Sequence, residues 1–171
     1  MKALVVYESM FGNTASIARA VADGLAAHFE VTLADVCTTP SASGMDLIVV
    51  GGPTHAFGMS RQSTRQDAAR QGHVRPEAVD VGVREWLERS PRLTGTAAAA
   101  FDTKIDKPFV PGSAARKVHR QLRGLGCRLV VPAESFRVTG TPGPLVAGEE
   151  QRAQRWAEAV AKAVSAVRHK V

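Results

Sequence analysis

Residues 2–25 read KALVVYESMFGNTASIARAVADGL, and this stretch decides the fold class of the chain. Residues 2–7 form an apolar run that is rich in β-branched side chains and too short for a helix, so they predict a buried strand. Ile17, Val21 and Leu25 then recur every four residues, which predicts a helix with one apolar face. A polar loop containing Gly12 joins the two. A strand, a glycine-containing loop and a helix in this order are typical of the start of an α/β protein.

The remaining sequence continues this alternation of strands and helices. Further strands are predicted at residues 30–35, 46–51 and 96–101, followed by a last strand, over 128–131 and 135–138, that is interrupted at Pro132. Helices are predicted around Trp86, after Ser113 as N-cap, and over about residues 148–168. We expect a single turn or an irregular crossover in residues 36–45, and irregular structure in the polar residues 59–75. Strands that are apolar on both faces indicate a parallel sheet covered by helices on both sides.

The loop after the first strand has the composition of a phosphate site. Ligands of a parallel sheet bind at the carboxyl ends of its strands. Gly12 allows the backbone to approach a ligand closely, and Ser9, Asn13 and Thr14 supply neutral hydrogen-bond donors. The helix that begins here offers free N–H groups and the positive end of its dipole. Because the loop has no lysine or arginine, it differs from the loop of nucleoside triphosphatases and favours a phosphate monoester.

The pattern of Val5, Val6, Tyr7, Ser9, Gly12 and Thr14, with Ala18 and Val21 in the following helix, resembles the flavodoxin signature around the phosphate of FMN. The resemblance implies a flavodoxin-like three-layer α/β/α sandwich with a five-stranded parallel sheet in the order 2-1-3-4-5, formed by one domain over residues 1–171. It also implies FMN as cofactor. The first loop would contribute its phosphate contacts: Ser9, Met10, Phe11, Gly12, Asn13 and Thr14.

Two further loops correspond to flavin-binding loops of this family. The loop after the third strand would lie beside the isoalloxazine and ribityl groups and contains Pro53, Thr54, His55, Ala56, Phe57 and Gly58. The loop after the fourth strand would place Asp102 and Thr103 at the pyrimidine edge. Flavodoxins usually have a stacking tyrosine in this last loop, whereas the one tyrosine of this chain is Tyr7, in the first strand. Phe109 could replace it, or the outer flavin face could be open.

The chain carries a net charge of +6, and its distribution suggests where partners bind. Residues 59–75 contain four arginines and one acidic residue: Arg61, Arg65, Arg70, Arg75 and Asp67. This segment therefore accounts for half of the net positive charge of the chain. We interpret this segment either as an ordinary solvated surface or as a docking patch, for an acidic redox partner or for a second phosphorylated ligand. An aromatic content of 5% argues against nucleic-acid binding by base stacking.

The sequence also bounds the location of the protein. No apolar run approaches the roughly 18–20 residues that a membrane span needs, and no signal peptide is recognisable at the N-terminus. The two cysteines, Cys37 and Cys127, are far apart in sequence and form no CxxC pair. We therefore expect reduced cysteines in a cytoplasmic protein that binds no membrane.

Three functions are compatible with these residues. The leading hypothesis is an FMN-binding protein that transfers electrons, because no catalytic acid, base, nucleophile or metal cluster stands out. An FMN-dependent NAD(P)H:quinone-type oxidoreductase is an alternative, since the missing tyrosine leaves room for a substrate and family electron carriers are usually acidic. The third hypothesis is a flavodoxin-fold module that no longer binds flavin.

Overall fold

The chain folds into one largely parallel sheet with helices between its strands. The computed structural model describes residues 1–72 and 76–168. Its strands are β1 (Lys2–Tyr7), β2 (Glu30–Asp35), β3 (Leu47–His55), β4 (Gly58–Met59), β5 (Ala97–Ile105), β6 (Arg128–Leu129) and β7 (Glu134–Val138). Its helices are α1 (Asn13–Leu25), α2 (Gln62–Gln71), α3 (Glu77–Asp80), α4 (Val83–Arg89), α5 (Ala114–Gly124) and α6 (Glu149–Arg168), with a 3₁₀ turn at Val36–Thr38.

The parallel strands lie in the order β2-β1-β3-β5-β6, with β7 also paired to β5. In register, Val5 of β1 lies opposite Leu33 of β2 and Val49 of β3, and Val49 lies opposite Ala99 of β5. When β6 and β7 are taken as one interrupted strand, this is the expected 2-1-3-4-5 arrangement, and the flavodoxin-like α/β class is confirmed. The difference in detail is β4, a short strand that pairs antiparallel with the end of β3.

Helices cover both faces of the sheet, as the strand composition predicted. On one face α1 and α6 pack against the sheet through residues such as Ile17, Val21 and Val160, all fully buried. On the other face α4 and α5 contribute Trp86 and Leu122 to a second apolar layer. Removing this apolar surface from water is the main stabilising contribution to the fold.

Several local predictions are confirmed. The 36–45 crossover holds only the single 3₁₀ turn Val36–Thr38. The last strand is interrupted around Pro132, between β6 and β7. The Ser113 hydroxyl caps α5 by accepting a hydrogen bond from the Arg116 backbone N–H at 3.3 Å.

The prediction of irregular structure in residues 59–75 is wrong, because the segment contains β4 and the ten-residue helix α2; residues 73–75 lie outside the described part. The Thr64 hydroxyl stabilises the start of α2 by accepting a hydrogen bond from the Arg61 backbone N–H at 2.9 Å. The buried residues of α2 are Arg65 and Ala68. A helix that buries an arginine shows no apolar stripe, so the hydrophobic periodicity that reveals other helices is missing.

Candidate functional site

One cavity lies at the carboxyl ends of β1, β3 and β5, where the first loop meets the last residues of β3 and β5. The cavity is lined by most of the residues that the sequence predicted: Ser9, Met10, Phe11, Asn13, Thr14, Pro53, Thr54, His55 and Thr103. Ile105, Val138 and Thr141 complete the lining and were not predicted. Ile105 was missed because β5 was expected to end at residue 101, whereas it continues to Ile105 and carries this side chain to the cavity. Val138 and Thr141 come from the end of β7 and the segment after it, for which no role in the site was predicted.

The first loop leaves the N-terminus of α1 open to an anion. Gly12 has a φ of 94°, in the left-handed region that favours glycine, and its N–H donates to the Ser9 hydroxyl at 3.1 Å. No side chain caps α1, and its first turn has no acidic residue. The first N–H groups of a helix have no partner within the helix, and the helix dipole is positive at this end. This donor set, neutral and largely backbone, fits the phosphate of a cofactor such as FMN.

Neighbouring elements hold this loop in place. The Thr14 hydroxyl is 2.7 Å from the Thr103 hydroxyl of β5, and this hydrogen bond is buried. The Asn13 side-chain amide donates to the Pro142 carbonyl at 3.2 Å. Gly143 packs so closely against Asn13 that a Cβ at this position would collide with the amide. The loop is therefore attached to β5 on one side and to the segment after β7 on the other.

The second loop is a tight hairpin between β3 and β4. Its two turn residues, Ala56 and Phe57, both have positive φ, at 43° and 70°. Such turns favour asparagine and glycine, so alanine and phenylalanine here are held in an unfavourable backbone conformation. Backbone conformations of this kind are concentrated at binding sites. The Phe57 side chain is 57% exposed, so the hairpin presents an aromatic ring to solvent.

The third loop, residues 106–112, contacts the hairpin. Gly112 has a φ of 82°, and a Cβ there would collide with the Phe57 carbonyl. The Lys104 ammonium donates to the Val110 and Gly112 carbonyls at 2.8 and 2.6 Å, so this lysine stabilises the loop. Phe109 is fully exposed. The loop thus displays a second solvent-facing aromatic ring on a backbone that contacts the first.

Asp102, predicted to contact the cofactor, lies outside the cavity lining. Its carboxylate accepts hydrogen bonds from the Thr54 hydroxyl at 2.9 Å, the Ser113 hydroxyl at 2.6 Å and the Ala115 N–H at 3.0 Å. The residue is completely buried beneath the start of α5. Asp102 therefore positions Thr54, a cavity residue, relative to α5. The other predicted residues outside the lining are Gly12, Ala56, Phe57 and Gly58.

A buried charged network behind the hairpin was not predicted. Arg65 is fully buried; its guanidinium donates to the Ser60 hydroxyl and to the Glu85 carboxylate, each at 2.8 Å. The Ser60 hydroxyl in turn donates to buried Glu8 at 2.8 Å, and Glu8 also accepts from the Val83 N–H at 2.8 Å. Burial raises the pKa of Glu8 above its ordinary value. The network joins the residues that directly follow β1 and β4 to helices α2 and α4.

His55, at the end of β3, lies between the cavity and this network. Its Nδ1 is 3.3 Å from the Thr64 hydroxyl of α2. Burial, assisted by the nearby Arg65 charge, lowers the pKa of His55 to about 4. The imidazole is therefore neutral at neutral pH and acts in this site as a hydrogen-bonding group.

Only some of the arginines of the predicted basic segment are exposed on the surface. Arg61 and Arg70 are exposed, and Arg70 pairs with Asp67 across 3.4 Å. Arg65 is buried, so its charge is not available to a partner, which corrects the interpretation of all four arginines as one patch. Arg75 lies outside the described residues.

Comparison with known proteins agrees with this geometry. The flavodoxin family model matches residues 5–163, and the chain belongs to the flavodoxin family. Flavodoxins are the class of FMN-binding electron carriers. The chain matches no curated protein sequence.

Solved flavodoxin structures share the fold over nearly the whole chain. A flavodoxin from the domain Archaea has 21% sequence identity and a TM-score of 0.68, and the match covers 96% of this chain and 99% of that one. Oxidised flavodoxin 1 from Bacillus cereus has 19% identity and a TM-score of 0.67, with 95% and 98% covered. A flavodoxin, WrbA-like protein from Agrobacterium tumefaciens has 19% identity and a TM-score of 0.64, with 96% and 98% covered. At these identities, the likeness shows the fold.

Within residues 1–72 and 76–168, no helix combines the length and the apolar content that crossing a bilayer requires.

Proposed function

We propose that the chain is a single-domain FMN-binding electron carrier in which residues 9–14 hold the cofactor phosphate. The observation that carries this proposal is the uncapped N-terminus of α1 in a cavity shared by the predicted loops of β1, β3 and β5. Bound FMN supplies the redox chemistry, and the protein residues bind it and orient it. The proposed cofactor contacts include the cavity residues of all three loops.

Each loop has a proposed role toward the flavin. The backbone N–H groups at Asn13 and Thr14, with the Ser9 and Thr14 hydroxyls, donate hydrogen bonds to the phosphate. The 53–58 hairpin flanks the ring system, and exposed Phe57 supplies an aromatic surface for stacking. Thr103 orients Thr14 through their shared hydrogen bond.

The proposed partner is an acidic redox protein that docks near residues 61–75, where Arg61 and Arg70 are exposed. Opposite charges on the two proteins would accelerate their encounter at low ionic strength. We place the protein in the cytoplasm, which is consistent with its two free cysteines, Cys37 and Cys127.

The test measures cofactor binding directly. The purified chain is reconstituted with excess FMN, desalted, and examined for the visible absorbance bands of flavin. Riboflavin, which lacks the phosphate, is titrated in parallel. We expect FMN to bind at least tenfold more tightly than riboflavin. If the protein is colourless after desalting, the FMN proposal is refuted and the hypothesis of a flavodoxin-fold module without flavin is favoured.

A matched pair of variants locates the phosphate. Gly12→Asp adds a negative charge at the start of α1, and we expect it to weaken FMN binding more than tenfold while riboflavin binding is unchanged. Gly44→Asp is the control, because Gly44 also has a positive φ, 74°, and a Cβ at either glycine meets open space. If Gly12→Asp retains wild-type FMN affinity, the phosphate binds elsewhere.

The alternative function, an FMN-dependent NAD(P)H:quinone-type oxidoreductase, is favoured by the exposure of Phe57 and Phe109. Their open aromatic faces leave room for a substrate ring. It predicts that the FMN-loaded chain oxidises NAD(P)H when a quinone is present. An electron carrier shows no such turnover until a separate reductase is added.

A further inference from the structure

A second cavity lies on the far side of the 53–58 hairpin. Its lining contains three cationic side chains, Arg61, Arg84 and Lys117, and the hydroxyl-bearing Ser63 and Thr64; His55, Ala56, Gly58 and Met59 complete it. Among the residues that the structure describes, no aspartate or glutamate lines it. His55 borders both this cavity and the candidate flavin site.

Two of the cations lie against the hairpin and the residue that follows it. The half-buried guanidinium of Arg84 donates to the Ser60 and Met59 carbonyls, each at 3.2 Å. The side chain of Lys117 lies against Gly58, where a Cβ would collide with the ammonium group and approach the lysine Cδ to 3.0 Å. The absence of a side chain at position 58 therefore leaves space for Lys117 at the edge of the cavity.

The charges of this cavity are not balanced by the protein. In the part of the chain that the structure describes, neither Arg61, Arg84 nor Lys117 lies within 4.0 Å of a carboxylate. Like charges gathered in a partly enclosed space repel one another, and a half-buried cation without a counter-charge is costly. His55 adds no charge at neutral pH, since its pKa is lowered to about 4. The cavity thus has a formal charge that a doubly charged anion offsets better than a singly charged one.

We propose that this cavity binds the phosphate dianion of a small molecule, as a site separate from the one that holds the cofactor phosphate. The arginines offer planar N–H donors and the lysine a compact charge, which together suit a tetrahedral phosphate. The Ser63 hydroxyl supplies a neutral donor. A molecule anchored here by its phosphate can extend past His55 toward the candidate flavin site. The anion site itself does not depend on the proposed function.

The test titrates inorganic phosphate and sulfate into the FMN-saturated protein at constant ionic strength and follows backbone amide signals by NMR. The amides of Gly58 and Ser63 report on the proposed cavity, and those of Gly12 and Asn13 report on the cofactor loop. If the chain does not take up FMN, the same titration on the cofactor-free chain still separates the two sites. A failed FMN proposal is thereby distinguished from a failed anion site.

Changing the pH tests the preference for a dianion. Between about pH 8 and pH 5.5, phosphate passes from mainly dianion to mainly monoanion, whereas sulfate stays doubly charged and His55 stays neutral. We expect phosphate to bind at least fivefold more weakly at the lower pH and sulfate to bind equally at both. Equal phosphate affinity at the two pH values would overturn the dianion assignment.

Two variants with the same charge change test the location. Lys117→Ala removes an exposed cation of the cavity, and we expect at least tenfold weaker sulfate binding. Arg70→Ala removes an exposed cation on α2 outside the cavity and should change the affinity by less than twofold. Shifts confined to the cofactor loop, shifts that do not saturate, or equal weakening by both variants would overturn the proposal.

Discussion

Replacing Arg65 by methionine would test the buried network behind the hairpin. The guanidinium is completely buried and donates to the Val79 carbonyl, the Ser60 hydroxyl and the Glu85 carboxylate, each at 2.8 Å. Methionine fills much of the same volume but donates no hydrogen bond. Arg65→Met therefore leaves the Val79 carbonyl, the Ser60 hydroxyl and the Glu85 carboxylate without this donor, as well as the Asp80 carbonyl, to which the guanidinium donates at 3.5 Å. Buried Glu8 loses the nearest positive charge of the network.

The expected cost follows from these lost interactions. Removing one partner of a buried ion pair costs about 3–5 kcal/mol. Because the Glu85 side chain is 22% exposed and can regain water, the lower half of this range is the better expectation for the pair itself. The unpaired Val79 carbonyl adds about 1 kcal/mol or more. We expect the free energy of unfolding to fall by about 4–5 kcal/mol, which in a chain of this size lowers Tm by about 8–20 °C.

Urea and thermal unfolding followed by circular dichroism at pH 7 measure this loss. The control is Arg70→Met on the same helix, where the side chain is 79% exposed, and the expected change is within about 0.5 kcal/mol. Adding Glu8→Gln to Arg65→Met should recover part of the stability, because glutamine still accepts hydrogen bonds but carries no uncompensated charge. A loss below about 1 kcal/mol for Arg65→Met, or a double variant less stable than the single one, would refute the reasoning.

Three further predictions concern single side chains near the candidate site. Because burial raises the pKa of Glu8, its carboxyl keeps its proton to higher pH in the native protein than in the unfolded chain. The stability of the wild type should therefore fall relative to that of Glu8→Gln as the pH rises through and above about 4.5. If the free energies of urea unfolding of the two proteins depend on pH in the same way, this prediction is contradicted. Asp102→Ala removes the acceptor of two hydroxyls and one N–H and should cost about 2–4 kcal/mol by urea unfolding; a loss no larger than that of an exposed aspartate would contradict it. Gly112→Ala forces a Cβ into the Phe57 carbonyl, so it should destabilise the chain by about 1–3 kcal/mol and weaken FMN binding. The control is Gly95→Ala, because Gly95 has a similar φ of 79° and a Cβ there meets open space. A fluorescence titration should show unchanged FMN binding for this control.

The sheet could be predicted because its strands are buried on both faces. Residues 2–7 and 46–51 are continuous apolar runs, and such runs have few structural alternatives in a chain of alternating elements. Helix α2 could not be predicted in this way. It packs inward with a charged residue, Arg65, whose burial depends on acceptors far along the chain, at Val79 and Glu85. Long-range pairing of this kind leaves no periodic signal in the local sequence.

The candidate site was predictable to the extent that it is local. The first loop combines its glycine, its hydroxyls and its helix start within six residues, so their proximity follows from the sequence alone. Asp102 shows where a prediction from the local sequence fails. Because β5 continues to Ile105, side chains alternate along it, and Thr103 faces Thr14 while Asp102 faces α5. Ending the strand at residue 101 concealed this alternation and placed Asp102 on the cofactor side.

The proposed cofactor site and the proposed anion site, on either side of the hairpin, would hold an anion by different means. The cofactor loop offers neutral donors whose directions are fixed by α1, which suits a resident phosphate that must be oriented. The second cavity gathers Arg61, Arg84 and Lys117 without a carboxylate among its lining residues, which suits an incoming anion, because charge attracts over distance and accelerates association. His55 lies between the two cavities and is neutral at neutral pH, so it adds no positive charge at the edge of the cofactor site. Arg61, Arg84 and Lys117 contribute three of the positive charges of this chain, and none of them lies within residues 9–14 of the cofactor loop.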